Sequence, residues 1–211
     1  MSQEPPQQTT DSDQPVPFSD QLEGWLTGEG EKTLGSLVHT FGDKSFAILL
    51  VVLLAIPALP LPTGGISHLF LLIGGLIALE MIAGRKEVWL PQRWRRLKLG
   101  GGRRQQFVSA LMRLIRRLER YSRPRLRFLF RLPLFDRAVG VVVLIGATGA
   151  FVAPPFSGLD TLPALGVVML ALSLLLEDGL IAAGGVLVSA VGVALEIVLG
   201  AAAFHGVSSF F

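Results

Sequence analysis

Five apolar segments with almost no charged side chains constrain this chain more than any other feature. They cover residues 45–61, 66–83, 138–153, 159–176 and 179–204. A helix needs roughly 20 apolar residues to cross the hydrocarbon core of a bilayer; the last segment meets that length and the others are slightly short. Helices that pack on a soluble core usually keep one polar face, and these segments keep none. The pattern therefore predicts an integral membrane protein and disfavours a soluble one.

Proline-rich stretches break the apolar segments at two places. The first, AIPALPLPTGG, lies between the first two segments, and the second, APPFSG, lies between the third and fourth. The spacing from Pro62 to Gly84 is 22 residues and that from Pro155 to Gly179 is 24, so the second hairpin resembles a copy of the first. Proline and glycine suit turns at the outer surface, and they also suit re-entrant tips whose unpaired amides line a polar site inside the membrane. Short arms favour re-entrant tips, which transporters place at a central binding site, but both alternatives stay open.

The distribution of charge predicts the orientation. Seventeen of the nineteen Lys and Arg residues lie between Arg85 and Arg137, together with three acidic residues, whereas residues 1–44 hold two lysines and eight acids. Loops rich in Lys and Arg stay on the cytoplasmic side of a membrane. We therefore expect residues 85–137 to be cytoplasmic, both hairpins to enter from that side, and Phe211 to lie outside.

The predicted fold class is an all-α membrane protein with two proline-broken helical hairpins, one C-terminal transmembrane helix and amphipathic interfacial helices. Its expected parts are a disordered polar tail (1–18), amphipathic interfacial helices (19–44), a first membrane hairpin (45–84), a basic cytoplasmic connection (85–137), a second membrane hairpin (138–178) and a C-terminal transmembrane helix (179–204). The tail is polar and proline-rich and has no secretory signal pattern. After it, Asp20 and Glu23 have the spacing of a helix capping box.

The basic connection contains an amphipathic pattern. Apolar residues recur at intervals of three and four, as on one face of a helix: Phe107, Leu111, Leu114, Leu118 and Tyr121. Arginines occupy other positions around that helix, and those we expect to contact lipid headgroups are Arg113, Arg116, Arg117 and Arg120. Nucleic-acid binding is the rival interpretation, and we reject it because the loop is tethered between membrane hairpins.

Two short motifs, in this order along the chain, resemble a known family. They are Gly84-Arg85 with Trp89-Leu90-Pro91, and Glu177-Asp178-Gly179 after the second proline break. Together with the hairpins, over roughly residues 20–200, they resemble the ExoD family of bacterial membrane proteins linked to exopolysaccharide synthesis. The family pattern expects an arginine between Glu177 and Asp178, and its absence puts an ion pair there in doubt. The resemblance implies an inner-membrane, multi-pass location and a role connected with surface polysaccharide, but it supplies no reaction.

Charged and tip residues form the candidate site. The candidates for substrate or ion binding are Pro60, Pro62, Gly64, Gly65, His68, Glu80, Arg85, Pro154, Pro155, Glu177, Asp178 and Glu196. Acids inside membrane helices are rare and usually functional, so Glu196 is interpreted as a proton or cation site, against a structural hydrogen-bonding role. For Glu80, we expect a structural pairing with Arg85 or Lys86. His68 follows the first tip directly and would reach the site only if that tip is re-entrant.

Catalysis has no support in the sequence. There is no nucleophile elbow, HExxH motif, P-loop or cluster of metal ligands, and the chain has no cysteine. We therefore expect no enzymatic activity, no catalytic residue, no cofactor and no metal.

Transport or handling of an anionic lipid carrier or small solute at the proline tips is the first functional hypothesis. The second is a non-transporting accessory that anchors or regulates a polysaccharide synthase or exporter, and an ion channel is a weaker third. Expected partners are membrane lipids, including an anionic or polyprenyl-phosphate lipid, polysaccharide-synthesis proteins, and a second copy of the chain through the small residues of 182–203; nucleic acid is not expected.

Overall fold

Helices make up the protein in the computed structural model, which describes residues 17–59, 66–96, 112–120, 128, 130, 132–153 and 158–208. The helices are α1 (Phe18–Thr27), α2 (Leu34–Phe41), α3 (Lys44–Leu54), α4 (Ile66–Ile82), α5 (Gln92–Arg95), α6 (112–120), α7 (Pro133–Val152), α8 (Thr161–Leu176) and α9 (Gly179–Ser208). No strand occurs in this described part of the chain, so the predicted all-α class is confirmed. Residues 60–65 and 154–157, which contain most of the two predicted proline tips, lie outside the described residues.

Helices α3 and α8 form the centre of the bundle. Nearly every residue of α3 is buried, and so are most residues of α8, with Leu50, Leu54, Val167 and Leu170 almost inaccessible. The two helices pack against each other, α3 also packs against α4, and α8 also packs against α7 and α9. The two helices are therefore apolar all round because protein surrounds them.

Small residues let α8 and α9 approach closely, and this pair makes the most extensive helix contact. A Cβ atom on Gly166 would lie 2.6 Å from the Cα atom of Ser189, and one on Gly192 would lie 2.6 Å from the ring of Pro163. Gly185 faces Leu170 in the same way. This part of the small-residue face of 182–203, predicted as a seam between two copies, is thus occupied within the chain by α8.

Helices α4 and α7 run antiparallel, and their contacts define two ends of the bundle. At one end the guanidinium of Arg137 lies against Gly84. At the other end the rings of His68 and Phe151 have centroids 5.5 Å apart. We call the first the charged end, where α4 and α8 end and α7 and α9 begin. We call the second the tip end, since both proline breaks follow or precede the helices there.

Two helical stretches are long and apolar enough to cross a membrane, Leu134–Val152 and Gly179–Ala202. Only 33% and 22% of their most apolar windows are buried inside the protein, so most of this apolar surface faces outward. The apolar stretches in α3, α4 and α8 are shorter, at 10–17 residues. A core helix of a soluble protein would be mostly buried, and these two are not.

Helices α1, α2 and α6 form a layer at the charged end, beside the start of α3. Met112 and Ile115 of α6 are buried in the same cluster as Phe18 and Leu22 of α1. Of the predicted apolar stripe of α6, Leu118 packs against this cluster, whereas Leu114 is exposed. The remaining stripe residues Phe107, Leu111 and Tyr121 lie outside the described residues.

The capping box predicted at Asp20 is also wrong. Helix α1 begins at Phe18 after Pro17 and has no side-chain cap, so Asp20 already lies in its first turn. A capping box is instead present at Thr33 and Ser36, where each side chain accepts a hydrogen bond from the other residue's backbone amide. Serine replaces the usual Glu or Gln at the third helical position, which hides the motif in the sequence.

Candidate functional site at the tip end

The predicted site residues separate into two groups at opposite ends of the bundle. His68 and Glu196 lie at the tip end, whereas Glu80, Arg85, Glu177 and Asp178 lie at the charged end. Along α4 alone, the 12 residues from His68 to Glu80 correspond to about 18 Å. One binding site therefore cannot include both groups. The predicted tip residues Pro60, Pro62, Gly64, Gly65, Pro154 and Pro155 lie outside the described residues.

His68 lies in the first turn of α4, beside the last turn of α7. Its ring meets Phe151 edge to face, at an interplanar angle of 63°. The Nδ1 atom is buried and has no hydrogen-bond partner in the described structure. Buried polar atoms usually have a partner, and this one lies next to both proline breaks. The tip end thus holds a buried imidazole nitrogen that makes no hydrogen bond to the described part of the chain.

Glu196 lies against α7 at nearly the same depth. A Cβ atom on Gly149 would be 2.9 Å from its Oε2 atom, so the glycine makes the room that this carboxylate occupies. Its Oε1 atom is buried without a hydrogen-bond partner among the described residues. Asp160, immediately before α8, is within electrostatic reach of it. The described geometry therefore places Glu196 against the last turns of α7, within electrostatic reach of a second carboxylate.

The two groups do not face each other directly. Gly149 and Phe151 are two residues apart on α7, which in a helix turns them about 200° from one another. His68 and Glu196 thus flank the last turns of α7 on opposite sides. A polar ligand touching both would have to pass around the end of α7, next to the residues of the second tip.

Helix α9 continues past this level. Pro163, at the start of α8, meets Gly192, which is about 20 Å along α9 from Gly179. The apolar stretch of α9 extends to Ala202, roughly 15 Å further, with a mean hydropathy of 2.2 in its most apolar window. Residues 197–202 are all exposed, so the described part of the chain covers no side of this extension.

At the charged end, Glu80 and Gly84 close helix α4. The amide of Gly84 donates to the carbonyl of Met81 at 2.9 Å, and the amide of Arg85 donates to the carbonyl of Glu80 at 3.2 Å. This is a Schellman motif, which needs a residue with positive φ after the helix; Gly84 has φ 73°. The Gly84-Arg85 motif is thus explained first by helix termination.

The Glu80 side chain holds the segment that follows. Its Oε2 atom accepts a hydrogen bond of 2.8 Å from the backbone amide of Trp89. The predicted pairing with Arg85 or Lys86 is wrong in the described structure, because the carboxylate binds this amide instead. The bond leaves the Trp89 side chain 65% exposed, between the buried Val88 and Leu90.

Glu177 and Asp178 form the junction between α8 and α9. Glu177 ends α8 in the left-handed conformation, with φ 52°. Asp178 is only 4% exposed, and its Oδ1 atom accepts a hydrogen bond of 2.9 Å from the amide of Leu180. An acid that accepts from the second helical amide is an N-cap. This geometry gives Asp178 a structural role at the start of α9.

The arginines of α6 are exposed, as a headgroup contact requires: Arg113, Arg116, Arg117 and Arg120. Arg116 forms an ion pair with Glu23 of α1. Nearby, the carboxylate of Glu119 accepts hydrogen bonds from both the amide and the hydroxyl of Ser19. Helix α6 is therefore fixed to α1 on one side and presents its other arginines outward.

Three residues at the two ends were not identified from the sequence. Arg137 was counted only as part of the basic connection, although it lies one turn into an apolar helix. Asp160 was not considered, although it directly precedes α8. Gly149 carries no motif, and only the packing of α7 against α9 reveals that it makes room for Glu196. Arg137 and Asp160 are charges at the ends of apolar helices, and both could have been found from the sequence.

The fold and these two ends describe an all-helical protein with apolar outward surfaces and charges gathered at helix ends. A family model described as "Exopolysaccharide synthesis, ExoD" matches residues 18–198. Protein ExoD of Rhizobium meliloti is 32% identical over 186 residues, which are 85% of this chain and 76% of that protein. An uncharacterized protein of Synechocystis sp. is 33% identical over 147 residues, 70% of this chain and 68% of that protein. The chain belongs to the ExoD family, and the predicted resemblance is confirmed.

No solved structure matches the chain. The family description connects the protein with exopolysaccharide synthesis.

Proposed function

We propose that this protein is a multi-pass protein of the bacterial inner membrane that transports or handles an anionic lipid carrier or small solute for exopolysaccharide assembly. The binding region is the tip end, where His68 and Glu196 lie beside the two proline breaks. The protein acts by binding and moving its substrate, without catalysis, cofactor or metal.

One observation carries the proposal: α9 extends about 15 Å past the level at which α8 begins. The hydrocarbon core of a bilayer is about 30 Å thick. Helix α8 begins at the level of Gly192, about 20 Å along α9, and the bare apolar stretch of residues 197–202 follows. If α9 crosses the membrane, lipid surrounds that stretch, and the start of α8, which follows the second proline break, then lies inside the hydrocarbon core. This supports re-entrant tips over turns in external water.

Within a membrane, the two buried polar atoms that lack partners in the described structure would have a reason to bind a ligand. Non-helical backbone within a membrane is tolerated only where it faces protein or a polar cavity. At this depth a buried carboxylate oxygen and an imidazole nitrogen without partners are expensive unless they bind a proton, an ion or a substrate. Their location beside the breaks supports a polar site there.

The helix contacts are consistent with an internal repeat. If the α3–α4 hairpin corresponds to the α7–α8 hairpin, the contact of α3 with α8 is equivalent to the contact of α4 with α7, and both are extensive. The two hairpin contacts, α3 with α4 and α7 with α8, are likewise equivalent. Such a pairing supports two parallel hairpins related by a pseudo-two-fold axis along the bundle, with both tips at the same end.

A lipid translocation assay tests the proposal. The full-length protein is reconstituted in vesicles that contain a fluorescent polyprenyl-phosphate or short-chain anionic lipid, and the rate at which an external reagent quenches the inner-leaflet probe is measured. We expect the protein to accelerate translocation and Glu196→Gln to slow it. Glu87→Gln, an exposed acid at the charged end, is the matched control. No translocation of any headgroup, with Glu196→Gln equal to the wild type, would refute the proposal.

A second candidate function is a non-transporting accessory that binds a polysaccharide synthase or exporter. The layer of α1 and α6 favours it, since the Glu119–Ser19 and Arg116–Glu23 contacts hold α6 with its arginines outward. Replacing Arg113, Arg117 and Arg120 by glutamine distinguishes the two functions. Loss of partner co-purification, with Glu196 dispensable, would favour the accessory; unchanged co-purification with slower translocation in Glu196→Gln would favour the transporter.

A further inference from the structure

We propose that Arg137 and Arg85 form a binding site for the phosphate of an anionic membrane lipid at the charged end of the α4–α7 pair. The inference goes beyond the proposed function, because a headgroup site at this end stands whether or not the tips translocate anything. It concerns Arg137, a residue to which the family description gives no role.

The guanidinium of Arg137 lies against Gly84. A Cβ atom at position 84 would lie 2.8 Å from the Nη2 atom and 3.3 Å from the Nε atom of Arg137. The guanidinium thus lies directly on the backbone that ends α4, where the helix dipole favours a cation. Arg85 follows Gly84 immediately and is exposed. The Arg137 guanidinium and the backbone of Arg85 therefore share one helix end.

Neither guanidinium is neutralised in the part of the chain that the structure describes. The ion pair found there joins Arg116 to Glu23, far along the chain. Of the nearby acids, Glu80 binds the Trp89 amide and Asp136 is within electrostatic reach of Asp43 at the start of α3. Glu87 is exposed on the segment after Arg85. Two arginines without carboxylate partners keep their donors for a phosphate, which guanidinium groups bind in a bidentate way.

The surroundings of Arg137 indicate a lipid rather than a free phosphate. On α7, Leu134 precedes it by three residues and Val141 follows it by four, so all three share one face. That face is bare: Leu134 is 73% exposed, and Val141 and Ile145 are exposed as well. An acyl chain can lie along this apolar stripe while the headgroup phosphate meets the arginines. Nothing in such a stripe would attract inorganic phosphate.

Trp89 adds an interfacial residue to the same end. Its backbone amide donates a hydrogen bond to Glu80, which lies one turn before Gly84, and its indole is largely exposed. Tryptophan side chains concentrate at the level of lipid headgroups. The exposed indole also provides a reporter, since the chain contains three tryptophans and the other two, Trp25 and Trp94, can be replaced.

Quenching of Trp89 fluorescence by brominated lipids measures lipid binding at this site. The full chain with Trp25→Phe and Trp94→Phe is reconstituted in phosphatidylcholine vesicles that contain brominated phosphatidylglycerol or brominated phosphatidylcholine. Quenching yields the relative affinity of the two lipids next to Trp89. We expect a preference for phosphatidylglycerol that falls about fivefold in Arg137→Gln, as expected for one cation near a membrane surface. Arg137→Lys should keep part of the preference, and Arg96→Gln, an exposed cation beside α2, should leave it unchanged.

Other outcomes overturn the inference. Equal quenching by the two lipids in the parent protein, or equal losses in Arg137→Gln and Arg96→Gln, would show that only the overall charge attracts lipid. Abolition of the preference by inorganic phosphate, but not by chloride at the same ionic strength, would show that the site takes free phosphate instead. Translocation measured on the same vesicles is independent of these readings, so failure of this site and failure of the proposed function are distinguishable.

Discussion

The rings of His68 and Phe151 pack edge to face, and this contact brings the residue after the first proline break next to the helix that leads into the second. The residues that border the two breaks therefore lie at one end of the bundle, close to the depth of Glu196 on α9. The relationship joins two places that are 83 residues apart in the sequence and makes a common tip region possible.

Cysteine labelling tests how deep this tip region lies. The chain has no cysteine, so Thr63→Cys and Ser157→Cys each introduce a single thiol. Because α9 extends about 15 Å past the start of α8, we expect both thiols to be protected from a membrane-impermeant maleimide in vesicles. Glu87→Cys at the exposed charged end should label readily from its own side. Full labelling of both tip positions from outside would mean ordinary external turns.

The contact between α8 and α9 predicts a clear difference between two glycines. In Gly166→Ala the new methyl group meets the backbone of Ser189, which cannot rotate away, so the helices must separate. We expect a loss of about 1–3 kcal/mol in the free energy of unfolding. Gly200→Ala is the matched control, because nothing lies within 4 Å of its added methyl group and alanine is the better helix former. Unfolding of both variants in the same detergent measures the difference.

Equal stability of Gly166→Ala and Gly200→Ala would contradict the close approach of the two helices. It would also return the small residues of α9 to the role predicted from the sequence, as a seam between two copies. Cross-linking of the purified protein would then have to show a dimer that Gly192→Leu disrupts.

The helix content, the five apolar helices and the family could be predicted from the sequence, because apolar length and local motifs carry that information without tertiary contacts. Which face of an apolar helix is buried could not be predicted. Met112 and Leu114 are both apolar, and only the packing of α1 decides that the first is inside. For the same reason Glu80 was paired with the wrong partner. Its hydrogen bond to Trp89 depends on how the chain turns at Gly84, which charge spacing does not encode.

Asp178 gives a test of structural against functional acids. Asp178→Ala removes the N-cap of α9 and should cost about 0.5–2 kcal/mol of stability, whereas Asp178→Asn keeps an oxygen acceptor and should cost much less. We expect translocation by Asp178→Asn to remain near the wild-type rate when measured at a temperature where it is folded. A strong loss of translocation in a folded Asp178→Asn protein would show that Asp178 belongs to the binding site.

The contact between α1 and α6 combines two polar interactions of unequal strength, and this difference can be measured. The Arg116–Glu23 pair is about half exposed on both sides, and such surface pairs contribute roughly 0–1 kcal/mol. Ser19 is only 3% exposed, and the Glu119 carboxylate accepts hydrogen bonds from both its amide and its hydroxyl. Removing that acceptor leaves buried donors without a partner, which costs about 1–3 kcal/mol. Glu119→Ala should therefore release α1 from the bundle, and Arg116→Ala should not.

Hydrogen exchange of the α1 amides in the intact protein measures that release. We expect faster exchange over Phe18–Thr27 in Glu119→Ala, with exchange in α8 unchanged, because α8 belongs to the core of the bundle. Arg116→Ala serves as the control, since it removes a neighbouring side chain of the same helix without uncovering a buried donor. If the two variants accelerate exchange equally, the apolar contacts of Phe18 and Leu22 hold α1 in place, and the buried carboxylate contributes little.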